Sequence, residues 1–541
     1  MRRRLLEELP RPLFMAQQND GSGRAPVVIV RPTTSVTSGV AVTQKLVGAA
    51  VAFGDILRRT FGPNGLDKMM YKSNGENAIT NDGAKIVADL LVKHPAAKAF
   101  VQLAESQENA CGDGVTGCLL FASELMKEAG RLLERGVHPL VLVEAYQESI
   151  DETLKILERL SMDDIGENAL HSVARTSMVG KSAEAGGDHL ARLLVECMMT
   201  IQASGRPVRA ENVRMTKRGH DSLKETRLVK GVIIDKKFDS ERTPRILEPA
   251  KILALTCPLT IQKTKRDAEI EIERPDQMIA FLDAEEGLIQ SKIDALVNSS
   301  ARVIFTSKEV DDRIQHACND IGILLVAMME DDGIEDIAAA TGATLINHLD
   351  DISSEHLGSV QSALVDVSEH EDGRRTRLIV DVGEHSGLVT IDVGGGQGAA
   401  VEEYIRAMYD ALRSLESVIE HPATLLGGGS FHMAAALQLR ERAESIAGRQ
   451  RLAIEGFARA LETIPSTLAL NAGEDQIDTL LQLRAAQRNK SNRFGVCKDG
   501  SIGEIENVLL SSFTVSHALQ AAVETACGLL RVDQVISSRG D

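Results

Sequence analysis

The middle third of the chain alternates short apolar runs with helical stretches, an order that few folds can accommodate. After an apolar run at 232–234, the series comprises apolar runs at 252–255, 302–305, 323–327 and 343–346, with helical stretches near 309–319 and 333–340. Strands separated by helices at this spacing pair in parallel through right-handed crossovers. The pattern therefore predicts an α/β domain.

The segments on either side of this middle are mostly helical. Three stretches before it repeat apolar side chains at i, i+3 and i+4: 96–110, 116–135 and 139–160. After it, a strand at 388–393 leads through glycines into a helix at 401–420, and helices dominate again from about 431. We therefore predict a nested topology, in which the first and last thirds of the 541 residues share one domain and the centre is inserted.

The charge balance excludes several classes of partner. Sixty Lys and Arg residues against 78 Asp and Glu residues give a net charge of −18. A field of that sign repels phosphate backbones and anionic lipid. With four Tyr, 12 Phe and no Trp, the chain also offers few stacking platforms for single-stranded nucleic acid. We expect neither nucleic acid nor a membrane as a partner.

The cysteines indicate the compartment. Seven of them are scattered without a CxxC pair, which is typical of reduced thiols in a cytoplasmic protein rather than of a disulfide frame or a zinc site. No apolar run approaches the roughly 20 residues that cross a bilayer. The chain has a basic start but no apolar signal-peptide core, and residues 16–25 are polar, so we predict a disordered tail at 1–25, with either Met1 or Met15 as the initiator.

Two glycine motifs imitate nucleotide-binding fingerprints. Residues 394–399 (GGGQGA) fit GxGxxA after a strand, but a dinucleotide site needs a second strand ending in an acidic residue about 20 positions on. Residues 401–420 are predicted to be helical instead. Gly180, Lys181 and Ser182 imitate the end of a Walker A loop, yet Arg175 occupies the position of its first glycine. Neither fingerprint is supported.

Two other loops are candidates for phosphate binding. Residues 60–65 (TFGPNG) follow a helical stretch, and residues 112–116 (GDGVT) join two helices. Backbone N–H groups at a helix N-terminus attract anions, and an Asp there tolerates a phosphate when Mg²⁺ lies between them. Taken singly, the first loop is also an ordinary Pro-Asn-Gly turn and Asp113 an ordinary helix cap.

Two carboxylates complete the set of candidates. Asp82 precedes a helical stretch, so it is either functional or an N-cap. Asp410 lies within the predicted helix 401–420, where it either serves a site or forms an i,i+4 ion pair with Arg406. No single loop or carboxylate decides the question.

Taken together, in order and spacing, the motifs resemble those of the group II chaperonins, and of their archaeal thermosome branch most closely. The resemblance extends from about residue 28 to 536. It is carried by TFGPNGLDKMM (60–70), ITNDGA (79–84), HPAAK (94–98), GDG (112–114), TSM (176–178) with GK (180–181), DAL (410–412), GGG (427–429), IP (464–465), NAG (471–473) and LRVD (530–533).

The resemblance implies a multidomain α and α/β subunit of a stacked double ring that uses ATP to encapsulate and fold non-native proteins. The neighbours would be copies of the chain or paralogous subunits. The implied divisions are an equatorial domain at 26–160 and 417–541, an intermediate domain at 161–221 and 377–416, and an apical domain at 222–376 with a helical lid near 264–288.

The resemblance also implies a set of ATP and Mg²⁺ contacts. Asp82 and Asp410 would orient and polarise the attacking water, with Asp410 arriving as the intermediate domain moves. Asp113 would hold Mg²⁺. The nucleotide would contact Thr60, Gly62, Pro63, Gly65, Gly112, Asp113, Gly114, Thr116, Lys181 and Gly428. Of these, Lys181 would sense the γ-phosphate and Gly428 would pack against the nucleoside.

The chain departs from the family pattern at three places. Val115 replaces a threonine of the usual GDGTT loop, Leu426 replaces a proline, and a Glu-Pro pair is missing near Ser511. We expect ATP hydrolysis that is slow because a phosphate-binding hydroxyl is lost. The alternative is a specialised subunit of a mixed ring that binds nucleotide but hydrolyses it weakly.

Overall fold

The computed structural model describes residues 35–71, 77–90, 92, 94–163, 165–218, 222–235, 244–261, 275–370, 373–383, 387–395 and 399–537. The predicted tail at 1–25, part of the GxGxxA motif at 396–398 and the first part of the predicted lid at 264–274 lie outside these residues.

The first part of the chain is mainly helical. Its elements are β1 (Ser35–Ser38), α1 (Val40–Arg58), β2 (Lys68–Tyr71), β3 (Asn77–Thr80), α2 (Gly83–Asp89), α3 (Pro95–Cys111), α4 (Val115–Glu134) and α5 (Pro139–Leu160). Helices α3 and α5 begin alike, with a proline at the first position after His94 or His138, whose Nδ1 accepts a backbone N–H of the first turn.

A smaller unit follows. It consists of α6 (Glu167–Met178), α7 (Gly187–Ala203), β4 (Val213–Lys217) and β5 (Arg227–Val229). Between α6 and α7, a short 3₁₀ helix at Ser182–Gly186 comes directly after Lys181.

The central part is an α/β unit, as the alternation of apolar runs with helical stretches predicts. Its elements are β6 (Gly231–Asp235), β7 (Ile246–Leu247), β8 (Ala250–Leu255), α8 (Pro275–Asn298), β9 (Val303–Thr306), α9 (Asp312–Ile321), β10 (Leu324–Val326), α10 (Asp331–Thr341), β11 (Leu345–Ile346), β12 (Gly358–Val360), β13 (Ser362–His370) and β14 (Gly373–Asp381). Strands β10, β9, β8 and β11 lie side by side in parallel, which confirms the predicted parallel sheet.

The parallel sheet is covered on both faces. Along β8, Ile252 and Ala254 pack into one hydrophobic cluster, while Leu253 and Leu255 pack into another on the opposite face. Burial on both faces explains why its strands read as continuous apolar runs rather than as an alternation. A second sheet, in the order β6, β14, β13, β7, is antiparallel, and its long β13–β14 hairpin was not predicted from the sequence.

The last part of the chain returns to the first. Its elements are β15 (Val389–Val393), α11 (Ala399–Glu420), β16 (Thr424–Leu426), α12 (Ser430–Glu444), α13 (Arg449–Leu461), α14 (Thr463–Ala472), α15 (Gln476–Asn489), β17 (Phe494–Val496), β18 (Ile502–Glu504), β19 (Leu509–Ser511), α16 (Ser512–Leu530) and β20 (Gln534–Ser537). Strand β20 pairs with β1, so the two ends of the described chain meet.

One hydrophobic cluster unites both ends of the chain. The ring of Phe457 in α13 packs edge to face on Phe121 in α4, with ring centroids 5.5 Å apart, and on Tyr146 in α5. In a second cluster, α6 and α7 pack against α11. Its buried members include Leu190 and Met198 of α7 and Met408 and Leu412 of α11. The fold class is therefore confirmed: a helical unit formed from both chain ends, a small middle unit and an inserted α/β unit.

The predicted lid ends within α8, whose first half exposes Met278, Ile279, Phe281 and Leu282. Among the described helices, none combines the length and apolar character that crossing a bilayer requires.

Candidate functional site

A cavity of about 270 Å³ lies where the helical unit meets the small middle unit. It takes residues from the loop after α1, the β3–α2 and α3–α4 connections, α6 and the loop after it, α11, the β16–α12 loop and the start of α16. Of the twelve predicted site residues, eleven line it: Thr60, Gly62, Pro63, Asp82, Gly112, Asp113, Gly114, Thr116, Lys181, Asp410 and Gly428.

The connection between α3 and α4 forms one wall. Gly112 ends α3 at φ 65° and Gly114 precedes α4 at φ 80°, both in the left-handed region that favours glycine. A Cβ on Gly112 would lie 2.4 Å from Cβ of Arg413, so the turn also needs glycine for space. Because Gly114 supplies no capping side chain, the first N–H groups of the 20-residue helix α4 remain available beside the cavity.

Asp113 is held by hydroxyl and amide donors. Its Oδ1 accepts the backbone N–H of Gly114 at 2.8 Å, and its Oδ2 accepts hydrogen bonds from Ser177 at 2.9 Å and Ser414 at 3.1 Å. The two serines come from α6 and α11. Neither was predicted as a site residue, although Ser177 lies in the TSM motif and Ser414 follows Asp410 by one helical turn.

Lys181 bridges the acidic groups. Its Nζ donates to Asp410 Oδ2 at 2.6 Å and lies 3.7 Å from Asp113 Oδ1. The alternative pairing of Asp410 with Arg406 is wrong, because Arg406 contacts Glu403 at 3.4 Å instead. Asp410 therefore already borders the cavity in this structure.

The pKa values of Asp410 and Lys181 are shifted because both groups are buried close to other charged side chains. Burial, together with the charges of Asp82 and Asp113, raises the pKa of Asp410 to about 7, although Lys181 opposes the shift. Burial disfavours the charged form of Lys181, but Asp410 and Asp113 outweigh burial and raise the lysine's pKa. The side chain of Lys181 therefore stays protonated, and Asp410 becomes a carboxyl that can exchange a proton near neutral pH.

Asp82 is both a helix cap and a cavity residue. It is the N-cap of α2, and its Oδ1 accepts the backbone N–H of Ala84 at 3.0 Å. Its neighbour Asn81 donates from Nδ2 to the carbonyl of Gly180 at 2.5 Å. Asp82 can therefore cap α2 and also belong to the functional site.

Glu108 is an acidic cavity residue that sequence reasoning missed. It lies on α3, one turn before Gly112, and burial followed by the charges of Asp82 and Asp113 raises its pKa. Its nearness to Asp82 could not be read from the sequence, because it depends on how α2 packs on α3.

The loop after α1 closes the cavity from the other side. Thr60 is buried and its Oγ1 donates to the carbonyl of Leu57 at 2.8 Å. Gly65 does not line the cavity: its N–H donates to the carbonyl of Gly62 at 3.0 Å and so fixes the turn. The turn abuts the loop that precedes Lys181, since a Cβ on Gly180 would lie 2.6 Å from the carbonyl oxygen of Gly62.

The far half of the cavity is mostly apolar. Gly428 lies there with φ 62°, and the lining side chains include Phe121, Val173, Ile464, Leu468, Leu509, Val515 and Leu519. Ser511 caps α16 and contacts Ser417, so its hydroxyl is engaged within the fold. His432 also borders this half, and burial lowers its pKa to about 4, which keeps the imidazole neutral at pH 7.

The cavity is therefore divided in two. One half carries Asp82, Asp113, Asp410 and Lys181 with helix N–H groups, and the other half is apolar. Within the described residues, no group of three or more His, Cys, Asp and Glu side chains could hold a metal ion. A divalent cation at Asp113 would need ligands from a bound anion, which is the usual arrangement of Mg²⁺ with phosphates.

The comparisons with known proteins span this whole site. The TCP-1/cpn60 chaperonin family matches residues 53–539. The chain is similar to thermosome subunit beta of Archaeoglobus fulgidus, at 36% identity over 525 residues covering 95% of each chain. It is also 34% identical to thermosome subunit beta of Methanothermobacter thermautotrophicus, over 95% of each chain. Thermosome subunit alpha of Thermoplasma acidophilum is 33% identical over 96% of this chain and 95% of its own length.

Proposed function

The chain belongs to the TCP-1/cpn60 chaperonin family as a group II chaperonin subunit, and from that premise we propose that the divided cavity is its ATP hydrolysis site. A chaperonin is an ATP-driven folding chaperone, so ATP hydrolysis coupled to folding is the activity of this chain. The observation that carries the placement of the site is the Lys181 bridge between Asp410 and Asp113 at the cavity wall.

The polar half suits the phosphates. The N–H groups at the start of α4 and the ammonium of Lys181 favour an anion there. Asp410 and Asp82 approach the same space from different elements, so they would orient the attacking water and take up its proton. The raised pKa of Asp410 suits a group that exchanges a proton near pH 7.

Mg²⁺ fits the polar half through Asp113. The chemistry of the donors supports this, because a carboxylate already oriented by Ser177, Ser414 and Gly114 presents fixed oxygen atoms to a hard cation. When bound, Mg²⁺ would neutralise phosphate charge. The residues of this chain hold that carboxylate in place and keep Lys181 opposite it.

The apolar half suits the nucleoside. Aliphatic side chains of α14 and α16 offer an apolar surface, and Gly428 borders the same half of the cavity. The missing Glu-Pro pair near Ser511 leaves the ribose without the contact that the family resemblance implies.

The domain divisions remain those of the sequence analysis. We infer an equatorial domain at 26–160 and 417–541, an intermediate domain at 161–221 and 377–416, and an apical domain at 222–376. Separate hydrophobic clusters in the three units support this division, with the difference that Leu378 and Val380, beyond residue 376, pack into the apical cluster. Lys181 and Asp410 then both belong to the intermediate domain, so a hinge motion of that domain would bring both to the nucleotide together.

The assembly and location are inferred from the family. We infer a stacked double ring of this chain, alone or with paralogous subunits, that encloses unfolded proteins; some relatives are named as alpha and beta subunits. We infer a cytoplasmic location, which the seven free cysteines support.

A second candidate function is supported by Val115. Its side chain is 4% exposed, borders the cavity and offers no hydrogen-bonding group at the first position of α4. A subunit with this feature would bind nucleotide and hydrolyse it weakly, leaving turnover to partner subunits in a mixed ring.

The test is an assay of the full-length chain in its assembled form. We expect Mg²⁺-dependent ATP hydrolysis and ATP-dependent recovery of a denatured client enzyme, and we expect Asp113→Ala to lose both. ATP binding without measurable hydrolysis, restored when a catalytic paralogue is added, would favour the second candidate. Failure to bind ATP would overturn both.

A further inference from the structure

Three consecutive residues at the end of β3 each contact a different part of the site. Thr80, which is 2% exposed, donates from Oγ1 to Glu403 Oε1 at 2.7 Å. Asn81 donates to the carbonyl of Gly180 at 2.5 Å, next to Lys181. Asp82 caps α2. This short segment therefore contacts α11, which carries Asp410, and the loop that carries Lys181.

Glu403 is well placed to transmit this contact. It lies on α11, two turns before Asp410, so the two side chains project from nearly the same face of the helix. Arg406 contacts the other oxygen of Glu403 at 3.4 Å, which leaves Oε1 to accept the Thr80 hydroxyl. Hydrogen bonds to a carboxylate are short and about twice as strong as neutral ones.

The same hydroxyl also fixes Asp82. Thr80 Oγ1 accepts the backbone N–H of Asp82 at 3.1 Å while it donates to Glu403. A single buried oxygen thus sets the backbone of one proposed catalytic carboxylate and holds the helix that carries the other. The two residues it joins, Thr80 and Glu403, are 323 positions apart in the sequence.

The surroundings explain why such a contact is needed. A cleft of about 590 Å³ lies between α2 and α3 on one side and the first half of α11 on the other. Its walls include Asp82, Glu108, Glu402, Tyr409 and Asp410. Because open space separates these elements, the Thr80–Glu403 hydrogen bond is a direct contact across the cleft that helps to set how far Asp410 lies from Asp82.

We propose that Thr80, Asn81 and Glu403 are positioning residues that hold Asp410 and Lys181 over the ATP site, with the Thr80–Glu403 hydrogen bond as the central link. The inference rests on the proposed function of the cavity. None of the three residues needs to touch the nucleotide: each acts by fixing the distance between groups that do.

The first experiment measures steady-state ATP hydrolysis and ATP dissociation constants of assembled variants. We expect Thr80→Val and Glu403→Ala each to lower kcat about ten- to a hundredfold, the usual worth of a hydrogen bond to a charged group, while ATP dissociation constants change less than about threefold. The double variant should be no slower than the slower single variant, because both remove the same link.

Two matched controls distinguish positioning from general damage. Thr80→Ser keeps the hydroxyl and should retain nearly normal kcat. Glu402→Ala removes the neighbouring carboxylate, which is exposed and paired with Lys217 at 2.8 Å, and should also leave kcat unchanged. Additive losses in the double variant, or equal losses in Glu402→Ala or Thr80→Ser, would overturn the proposal.

A second measurement does not depend on hydrolysis. Hydrogen exchange of the nucleotide-free assembly should accelerate at 81–86 and at 180–182 in Thr80→Val and Glu403→Ala, with β8 unaffected. Unchanged exchange in both variants would overturn the link even if the wild type proves inactive. An inactive wild type with the accelerated exchange would instead count against the proposed function of the cavity alone.

Discussion

Asp410 and Asp392 are both buried carboxylates beside basic side chains, yet they serve different ends. Asp392, on β15, has no exposed surface and accepts hydrogen bonds from Arg377 at 2.7 Å, Arg227 at 3.2 Å and Thr216 at 3.3 Å. Asp410 is 6% exposed, contacts Lys181, and borders both the proposed ATP cavity and the adjoining cleft.

The difference lies in what surrounds each charge. Asp392 is enclosed by donors from β14, β4 and β5, so it joins the antiparallel β6–β14–β13–β7 sheet to the sheet formed by β4, β15 and β5. Asp410 has other carboxylates nearby and space on one side. A buried ion pair is therefore structural where donors surround it, and available for chemistry where a cavity leaves it incompletely neutralised.

The largest expected effect separates the two carboxylates by stability. Asp392→Ala leaves the buried guanidinium of Arg377 without its carboxylate partner, whereas the partly exposed Arg227 keeps Asp366 at 3.8 Å, and the loss should destabilise this region by about 3–5 kcal/mol. Asp410→Ala should change stability by less than about 1 kcal/mol at pH 8, because a carboxyl with a raised pKa is destabilised when ionised. Hydrogen exchange of β15 and α11 in both variants measures this. Equal destabilisation would contradict the comparison.

The next effect concerns Val115, which is buried like Asp392 but borders the cavity like Asp410. Val115→Thr adds a hydroxyl beside the proposed phosphates and should raise the ATP hydrolysis rate about ten- to a hundredfold, or less if water already bridges the gap. Val523→Thr, in the same hydrophobic cluster but away from the cavity, is the matched control and should only lose stability. No rate gain in intact assemblies would mean that Val115 does not face the phosphates.

The smallest effect is a pH dependence. Proton uptake from water requires ionised Asp410, whose pKa in the free protein is raised to about 7 by burial. Since kcat/KM reports the free enzyme, it should fall about tenfold per pH unit below pH 7, not below pH 4. Steady-state rates between pH 5.5 and 8.5 measure it, with assembly size checked at each pH. A profile that stays flat down to pH 5.5 would exclude Asp410 as the proton acceptor.

Much of this arrangement could be predicted from the sequence, and particular residues show where prediction fails. The β8–β11 sheet was predictable because burial on both faces produces continuous apolar runs. The β13–β14 hairpin was missed because no helix separates its two strands, so the alternation of strands with helices gives no signal for it, although Val365 and Leu378 enter the same core. The alternation of strands with helices identifies parallel strands, and not a hairpin that follows them directly.

The site shows the same limit. The loops around Asp82 and Asp113 were predicted because glycine and acidic residues recur there in a specific order. Ser177, Ser414 and Glu403 were missed, since a serine or glutamate on a helix is unremarkable until the helices pack together. The nucleotide contact of Gly65 stays a prediction, and its N–H closes the turn that follows α1.

The most direct test of the account is to compare ATP hydrolysis and ATP binding in the assembled wild type and in Asp410→Ala. The carboxylate is proposed to act on water, and its partner Lys181 keeps Asp113 as a second acidic neighbour at 3.7 Å. We predict that the variant loses turnover while its ATP dissociation constant stays within a few-fold of the wild-type value. Loss of both properties, or of neither, would contradict the assignment of this cavity as the hydrolytic site.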